Sequence, residues 1–280
     1  INMMVKINLK NNLITFLLTF LMVLFLQNSN ANEVDIINNY QNKNISEQCR
    51  NALDYYLDYP VLKGEYVRVL EFCKSTAKKL DIDGYSTNPI LSDYKSMNGV
   101  NSRPRDSIHQ GIDIIGSKNQ PIIAITDGKV LETANEDCWG PTLIVDHGKT
   151  FDGKNMIAIY GHVGEFLVEE GDYVQRGEII AKLPEKVKFR CMARVRHLHL
   201  QIGQQYCEKE EKDNWGCKYF IKDFYRSLDP NLYWANGPNN VSCFDKNIEY
   251  KTGYITYPVE CKKNSFCLLY TSPSPRDKSS

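Results

Sequence analysis

The stretch Val195-Arg-His-Leu-His-Leu-Gln-Ile202 sets two of the chain's five histidines two residues apart in a strand-like run. Residues i and i+2 of a strand face the same way, about 6.6 Å apart along the backbone. His197 and His199 therefore share one face, while Leu198 and Leu200 can enter a core on the other. Two imidazoles on a stiff strand suit zinc, which takes neutral histidine nitrogen at about 2.0–2.1 Å and depends on ligands held in place. Taken alone, the pattern fits an ordinary strand with two polar outward residues equally well, so further ligands have to come from elsewhere.

Upstream, short β-type runs alternate with turn residues. Ile122–Ile125, Lys129–Thr133, Thr142–Asp146, Met156–Tyr160, Tyr173–Val174 and Ile179–Leu183 all read as strands, with Gly128, Gly140, Gly148, Gly153, Gly171 and Gly177 between or beside them. This predicts a mainly β domain with a sandwich or barrel-like core. At its entrance stands Ile108-His109-Gln110-Gly111-Ile112-Asp113. Four residues of extended chain span about 13 Å, too far for two short side chains to share an ion, so a bend or close backbone approach at Gly111 is expected. His109 and Asp113 would then add nitrogen and carboxylate oxygen to the H-x-H pair, enough for a zinc site with an open position. His162, in Tyr160-Gly-His-Val163, follows an apolar run; His147, in Asp146-His-Gly148, reads as a turn or packing histidine.

Taken in order, these pieces resemble peptidase family M23, the lysostaphin/LytM-type zinc metallopeptidases. The resemblance runs through His109-x-Gly111-x-Asp113, Ala124-Ile-Thr-Asp-Gly-Lys-Val130, Val145-Asp-His-Gly148, Tyr160-Gly-His-Val163, Val168-Glu-Glu-Gly-Asp-Tyr-Val174, Arg176-Gly-Glu-Ile-Ile180 and His197-Leu-His199, about residues 100 to 204. It implies an M23-type β-sheet domain of the barrel-sandwich or duplicated hybrid motif kind. It also implies one zinc ion held by His109, Asp113 and His199, with His162 and His197 as catalytic histidines beside the metal-bound water. The implied activity is hydrolysis of peptide bonds in bacterial peptidoglycan, with peptidoglycan peptides as partners. The resemblance further implies His197 as the base and His162 as the oxyanion or proton-transfer partner. A catalytically inactive activator or scaffold of cell-wall hydrolases is the alternative, and the presence of all five residues argues against it. A biotinyl or lipoyl carrier would need a Met-Lys-Met triplet, which the chain lacks.

The sequence departs from the family pattern before H-x-H. A glycine-rich turn is replaced by Lys186-Val-Lys-Phe-Arg-Cys-Met-Ala-Arg-Val-Arg196, whose basic side chains Lys186, Lys188, Arg190 and Arg194 can meet acidic peptide carboxylates but by themselves read as a solvated loop. Leu228-Asp-Pro-Asn-Leu-Tyr-Trp234 resembles the segment that closes such domains.

The chain ends carry other signals. Lys6 and Lys10 precede a fourteen-residue apolar run, Leu13–Leu26, and Ser29-Asn-Ala31 offers a cleavage site, so residues 1–31 read as a signal peptide. Export to the periplasm or beyond, in the bacterial cell envelope, is expected, with no stable membrane insertion after cleavage. Nine cysteines suit an oxidising compartment. Residues 267–280 resemble translated sequencing-adapter sequence and read as a non-native tail; setting Cys267 aside leaves eight.

Between Asn44 and Leu80 the apolar spacing is helical: Cys49, Leu53, Tyr56 and Leu57, then Val67, Leu70, Cys73 and Ala77, around Pro60 and Gly64. This predicts an N-terminal helical hairpin closed by Cys49–Cys73. Cys138–Cys191, Cys207–Cys217 and Cys243–Cys261 are the other expected pairs, the last closing a β-hairpin that turns at Gly253. The expected organisation is thus signal peptide 1–31, helical region and linker 32–97, M23 domain 98–236, disulfide-closed hairpin 237–266 and tail 267–280. With 280 residues, 34 basic and 34 acidic groups and 42% hydrophobic residues, the chain reads as one main domain with appendages and carries no charge surplus for nucleic acid.

Overall fold

The computed structural model describes residues 43–80, 82, 84–136, 139–204 and 227–263. The chain divides into two compact units, Ile1–Asn44 and Ile45–Ser280, and the described residues lie almost wholly in the second. The signal peptide, the Cys207–Cys217 pair, Cys138 and the 267–280 tail fall outside them.

Helix α1 covers residues 43–52 and α2 covers Lys63–Thr76, with 3-10 turns at Asp54–Asp58 and Pro60–Leu62 between them. Pro60, which lacks a backbone donor, starts the second turn. The Cys49–Cys73 disulfide joins the two helices, its Cα atoms 5.9 Å apart. The tighter 3-10 winding rotates the apolar face away from the expected register. Tyr56, Leu53, Cys49 and Cys73 are buried as expected, but Leu57 and Val67 point to solvent and Val69 fills the interior instead. This small core continues into the β domain through Ile115 and Val195.

The strands are β1 (Tyr85–Ser86), β2 (Ile90–Ser92), β3 (Gly111–Ile115), β4 (Pro121–Ile123), β5 (Gly128–Glu136), β6 (Gly140–Lys149), β7 (Asn155–Gly161), β8 (Glu165–Phe166), β9 (Tyr173–Val174), β10 (Ile179–Lys182), β11 (His197–Gly203), β12 (Ser227–Leu228) and β13 (Lys262–Lys263). The large antiparallel sheet runs β2-β3-β11-β7-β6-β5-β9, with β12 on β11. A smaller sheet, β4-β10-β8, lies against it, and Ile112, Ile114, Leu143, Val145, Ala158, Leu198 and Leu200 fill the space with Ile122, Ile180 and Leu183. The domain is mainly β, as expected.

Two expectations need correction. The polar stretch read as a linker supplies β2, the edge strand on β3, so the sheet begins well before residue 98. Between Cys243 and Cys261, whose disulfide is present, no hairpin forms. Gly253 does turn with a positive φ of 84°. Ile255, Tyr257 and Val259, however, sink into the domain core rather than pairing with residues 248–252. Burial of those three side chains offsets the loss of a two-stranded ladder that would be marginal by itself.

Candidate functional site

β11 lies between β3 and β7 with a register that sets His199 opposite Asp113 on one side and Gly161 on the other. His109 sits two residues before β3. The three side chains are buried and converge: His109 Nε2 to Asp113 Oδ1 is 3.1 Å, His199 Nδ1 to Asp113 Oδ1 2.8 Å, and His109 Nε2 to His199 Nδ1 3.1 Å. The bend expected at Gly111 is supplied by the loop ahead of the strand. Glycine serves close approach, since a Cβ there would lie 2.4 Å from the Leu200 carbonyl oxygen and 3.0 Å from the His199 ring.

The protons on these rings are fixed by their outer partners. His109 Nδ1 lies 2.9 Å from the Asp93 carbonyl oxygen, which can only accept, so Nε2 carries the lone pair. Gln201 donates through Nε2 to Gln110 Oε1 at 3.0 Å, leaving Gln201 Oε1 to accept from His199 Nε2 at 3.1 Å. His199 Nδ1 therefore also presents a lone pair. Two nitrogen lone pairs and a carboxylate oxygen thus face one another in a buried triangle, which is repulsive unless a cation sits among them. Tetrahedral bonds of about 2.0–2.1 Å would separate such ligands by about 3.3 Å, close to the spacing found. The donor set, two imidazoles and a carboxylate, with the Asp93 carbonyl and the Gln201 amide orienting the two rings from behind, fits zinc.

His162 and His197 stand beside this triangle, their ring centroids 4.6 Å apart. His162 donates from Nδ1 to the Trp139 carbonyl oxygen at 2.8 Å, and His197 from Nδ1 to that of Val195 at 2.8 Å. In each neutral ring Nε2 is the basic atom, and that of His197 lies 3.8 Å from Asp113 Oδ1. Burial pushes the pKa of His162 well below the usual imidazole range, helped by His197 and His199, and lowers those of His197 and His199. Burial opposes ionisation of Asp113, but the surrounding rings of His109, His197 and His199 outweigh it and hold the carboxyl well below its ordinary range. His162 follows β7 in the left-handed region, φ 64°, a conformation that costs a non-glycine residue about 1–3 kcal/mol and tends to persist at functional sites.

Residues 107–212 match the model of peptidase family M23. The chain carries an M23-family domain. Relatives of the M23 domain include "Lipoprotein NlpD/LppB homolog" of Pseudomonas aeruginosa, 33% identical over 100 residues, which is 35% of this chain and 30% of that protein. "Endolysin 2638A" of Staphylococcus phage 2638A is 29% identical over 133 residues, 46% of this chain and 26% of its own. "Murein hydrolase activator NlpD" of Escherichia coli is 36% identical over 76 residues, 27% of this chain and 19% of its own. The alignments thus span less than a third of the length of each of these relatives.

Several residues around the donor triangle escaped the sequence reading. Arg105 reaches Asp113 Oδ2 and, at 3.2 Å, Ser92 Oγ, which itself lies 3.2 Å from His109 Nδ1. Nothing periodic marks Arg105 in Asn101-Ser-Arg-Pro-Arg105. Gln201 was findable, because it extends the two-residue period of His197 and His199. Trp139 packs edge-on to His199, centroids 4.8 Å apart, where the bare Gly161 leaves room. His147 is buried on β6 outside the triangle, a packing histidine donating from Nδ1 to the Asp127 carbonyl oxygen at 2.9 Å and accepting at Nε2 from the Tyr160 hydroxyl at 3.0 Å. Cys191 is disulfide-bonded; Cys138, its expected partner, lies outside the described residues.

Proposed function

We propose that the chain is an exported, zinc-dependent endopeptidase that hydrolyses peptide bonds of bacterial peptidoglycan, in stem or cross-link peptides, in the periplasm or outside the cell. One observation carries the reading: three metal-type donors face one another in a buried triangle beside two neutral imidazoles that keep Nε2 available. His109, Asp113 and His199 are the proposed ligands, His162 and His197 the proposed catalytic residues.

Zinc held there would polarise a peptide carbonyl and lower the pKa of water towards about 7. The chain's own groups do the rest. His197 is kept neutral by burial and locked at Nδ1 by the Val195 carbonyl, so Nε2 is aimed and ready to accept a proton near neutral pH. His162 is locked in the same way by Trp139. Its Nε2 donates only once protonated, so rather than giving standing oxyanion support it would serve to relay to the leaving amine the proton that the neighbouring His197 takes from water.

The Escherichia coli relative, a murein hydrolase activator by name, favours a second reading in which the chain switches on other wall hydrolases. An activator has no need of His162 and His197. The purified chain, analysed for zinc and incubated with defined muropeptides, separates the two. One zinc per chain and chelator-sensitive cleavage, located by mass spectrometry, support the endopeptidase. Zinc-loaded protein that leaves muropeptides intact while stimulating a separate hydrolase supports the activator.

A further inference from the structure

Glu65 of α2, besides its helical neighbour Arg68 at 3.7 Å, holds two arginines from two different loops: Arg194 Nη1 lies 2.7 Å from Oε2, and Arg103 Nη2 lies 3.2 Å from Oε1. The Glu65 side chain is 16% exposed, whereas those of Arg103 and Arg194 are 65% and 45% exposed, so the carboxylate orients both guanidinium groups and leaves them facing water. These are the loops flanking the donor triangle. One carries Arg105 onto Asp113, and the other runs directly into His197. Between them and the helical hairpin opens a cleft of about 270 Å³, lined also by Tyr55, Lys188 and Arg190. Lys188 and Arg190 are exposed and form no ion pair among the described residues. Four cations stand against one carboxylate, a local surplus of three positive charges on a chain with no net charge.

The cleft adjoins the loop that leads into His197. Arg194 stands three positions before His197, so their Cα atoms are at most about 11 Å apart, and an extended substrate advances about 3.3–3.6 Å per residue. Paired guanidinium groups match the flat, two-oxygen face of a carboxylate, and Lys188 adds a point charge. Resting on the endopeptidase reading above, we propose that this cleft is a carboxylate-binding subsite. It selects peptides that carry a free carboxylate about three residues from the bond that is cut and disfavours neutral peptides such as glycine bridges.

The test uses the full chain and matched synthetic peptides in which one side-chain carboxylate, set two, three or four residues from the cleaved bond, is replaced by its carboxamide. Wild type should favour an acid peptide about tenfold in kcat/KM, through KM, and the preference should fade between about 0.05 and 0.5 M salt as charges are screened. The surface double variant Lys188→Ala/Arg190→Ala should cut the preference to about twofold or less. Equal handling of acid and amide peptides by wild type, or full preference in the double variant, overturns the proposal. Fluorescence anisotropy with labelled peptides reads the same selectivity without turnover. Selective binding with no hydrolysis sinks the endopeptidase reading and keeps the subsite; hydrolysis without selectivity does the reverse, and no binding of the acid peptide overturns the subsite.

Discussion

His199 and Asp113 face each other across the β3–β11 pair, Nδ1 to Oδ1 2.8 Å, with both side chains buried. Strand pairing fixes their distance, because partners directly opposite in antiparallel strands cannot drift apart without breaking the ladder. His199→Ala is therefore expected to remove one donor and leave the rest of the triangle in place. Zinc content should fall from about one per chain to near zero at micromolar free metal, with little change in far-ultraviolet circular dichroism. Retention of stoichiometric zinc would remove His199 from the ligand set.

The complementary substitution is His197→Ala. This ring is held at Nδ1 by the Val195 carbonyl and is proposed as a base rather than a ligand. The variant should keep its zinc while kcat drops by about 10²–10⁴, the usual contribution of a positioned general base. His162→Ala is expected to behave alike. Loss of zinc from either variant would show that the division between ligands and catalytic groups is drawn in the wrong place.

How much of this was legible in the sequence depends on the range of the signal. H-x-H could be read because a strand's two-residue period is local: knowing that 197–202 is extended suffices to place both rings on one face. His109 and Asp113 needed a guess about the chain's path, and the path differs in detail, the turn falling before Gly111 rather than at it. Arg105 and the Asp93 carbonyl could not be read at all, since their roles exist only after β2 has docked on β3. The Tyr-rich alternation near 250–257 misled for a related reason. Alternate apolar residues serve a strand or a loop pressed on a core equally well, and tertiary packing chose the loop.

Gly111 offers a test of the close approach. A Cβ would meet the Leu200 carbonyl oxygen at 2.4 Å, a backbone atom that cannot swing aside. Gly111→Ala should force β3 from β11 and destabilise the fold by about 1–3 kcal/mol, the usual cost of overpacking. The His199 ring, 3.0 Å from the added carbon, should shift as well. Denaturant titration and zinc affinity by chelator competition should thus both decline; unaffected zinc binding would mean that the triangle does not depend on this contact.

His147 supplies a pH dependence separate from the donor triangle. Burial depresses its pKa from 6.5 to about 4. The unfolded chain therefore takes up a proton that the folded chain refuses. Stability from this group is full above about pH 6.5 and is lost as the pH falls towards 4. At about 1.4 kcal/mol per pH unit for one proton, the loss is at most about 3.5 kcal/mol. In His147→Asn the fall in Tm between pH 6.5 and 4.5 should be shallower than in wild type, even if the variant starts lower. Parallel curves would show that His147 does not titrate in this way.

The helical hairpin also bears on the site through Arg196, immediately before His197. Its side chain is 1% exposed, and every polar edge is used: Nε donates to the Pro184 carbonyl at 2.8 Å, Nη2 to that of Glu185 at 2.7 Å, and Nη1 to the Asn51 carbonyl at 3.0 Å and the Asp54 carboxylate at 2.8 Å. The Arg196 amide donates to the Ala52 carbonyl at 2.8 Å as well. One guanidinium thus ties the end of α1, the residues after β10 and the start of β11 together. Lysine has the charge but not the fork, so Arg196→Lys should leave carbonyls unmet and destabilise the fold by about 3 kcal/mol. Asp54 is 36% exposed, and Asp54→Asn should cost only about 1 kcal/mol. The ordering of these two effects is the diagnostic. If the carbonyl contacts dominate, Arg196→Lys is much the worse of the pair and the double variant adds little to it. If the two single variants are equal and additive, the clamp is an ordinary ion pair and the hairpin does not hold the strand that carries His197.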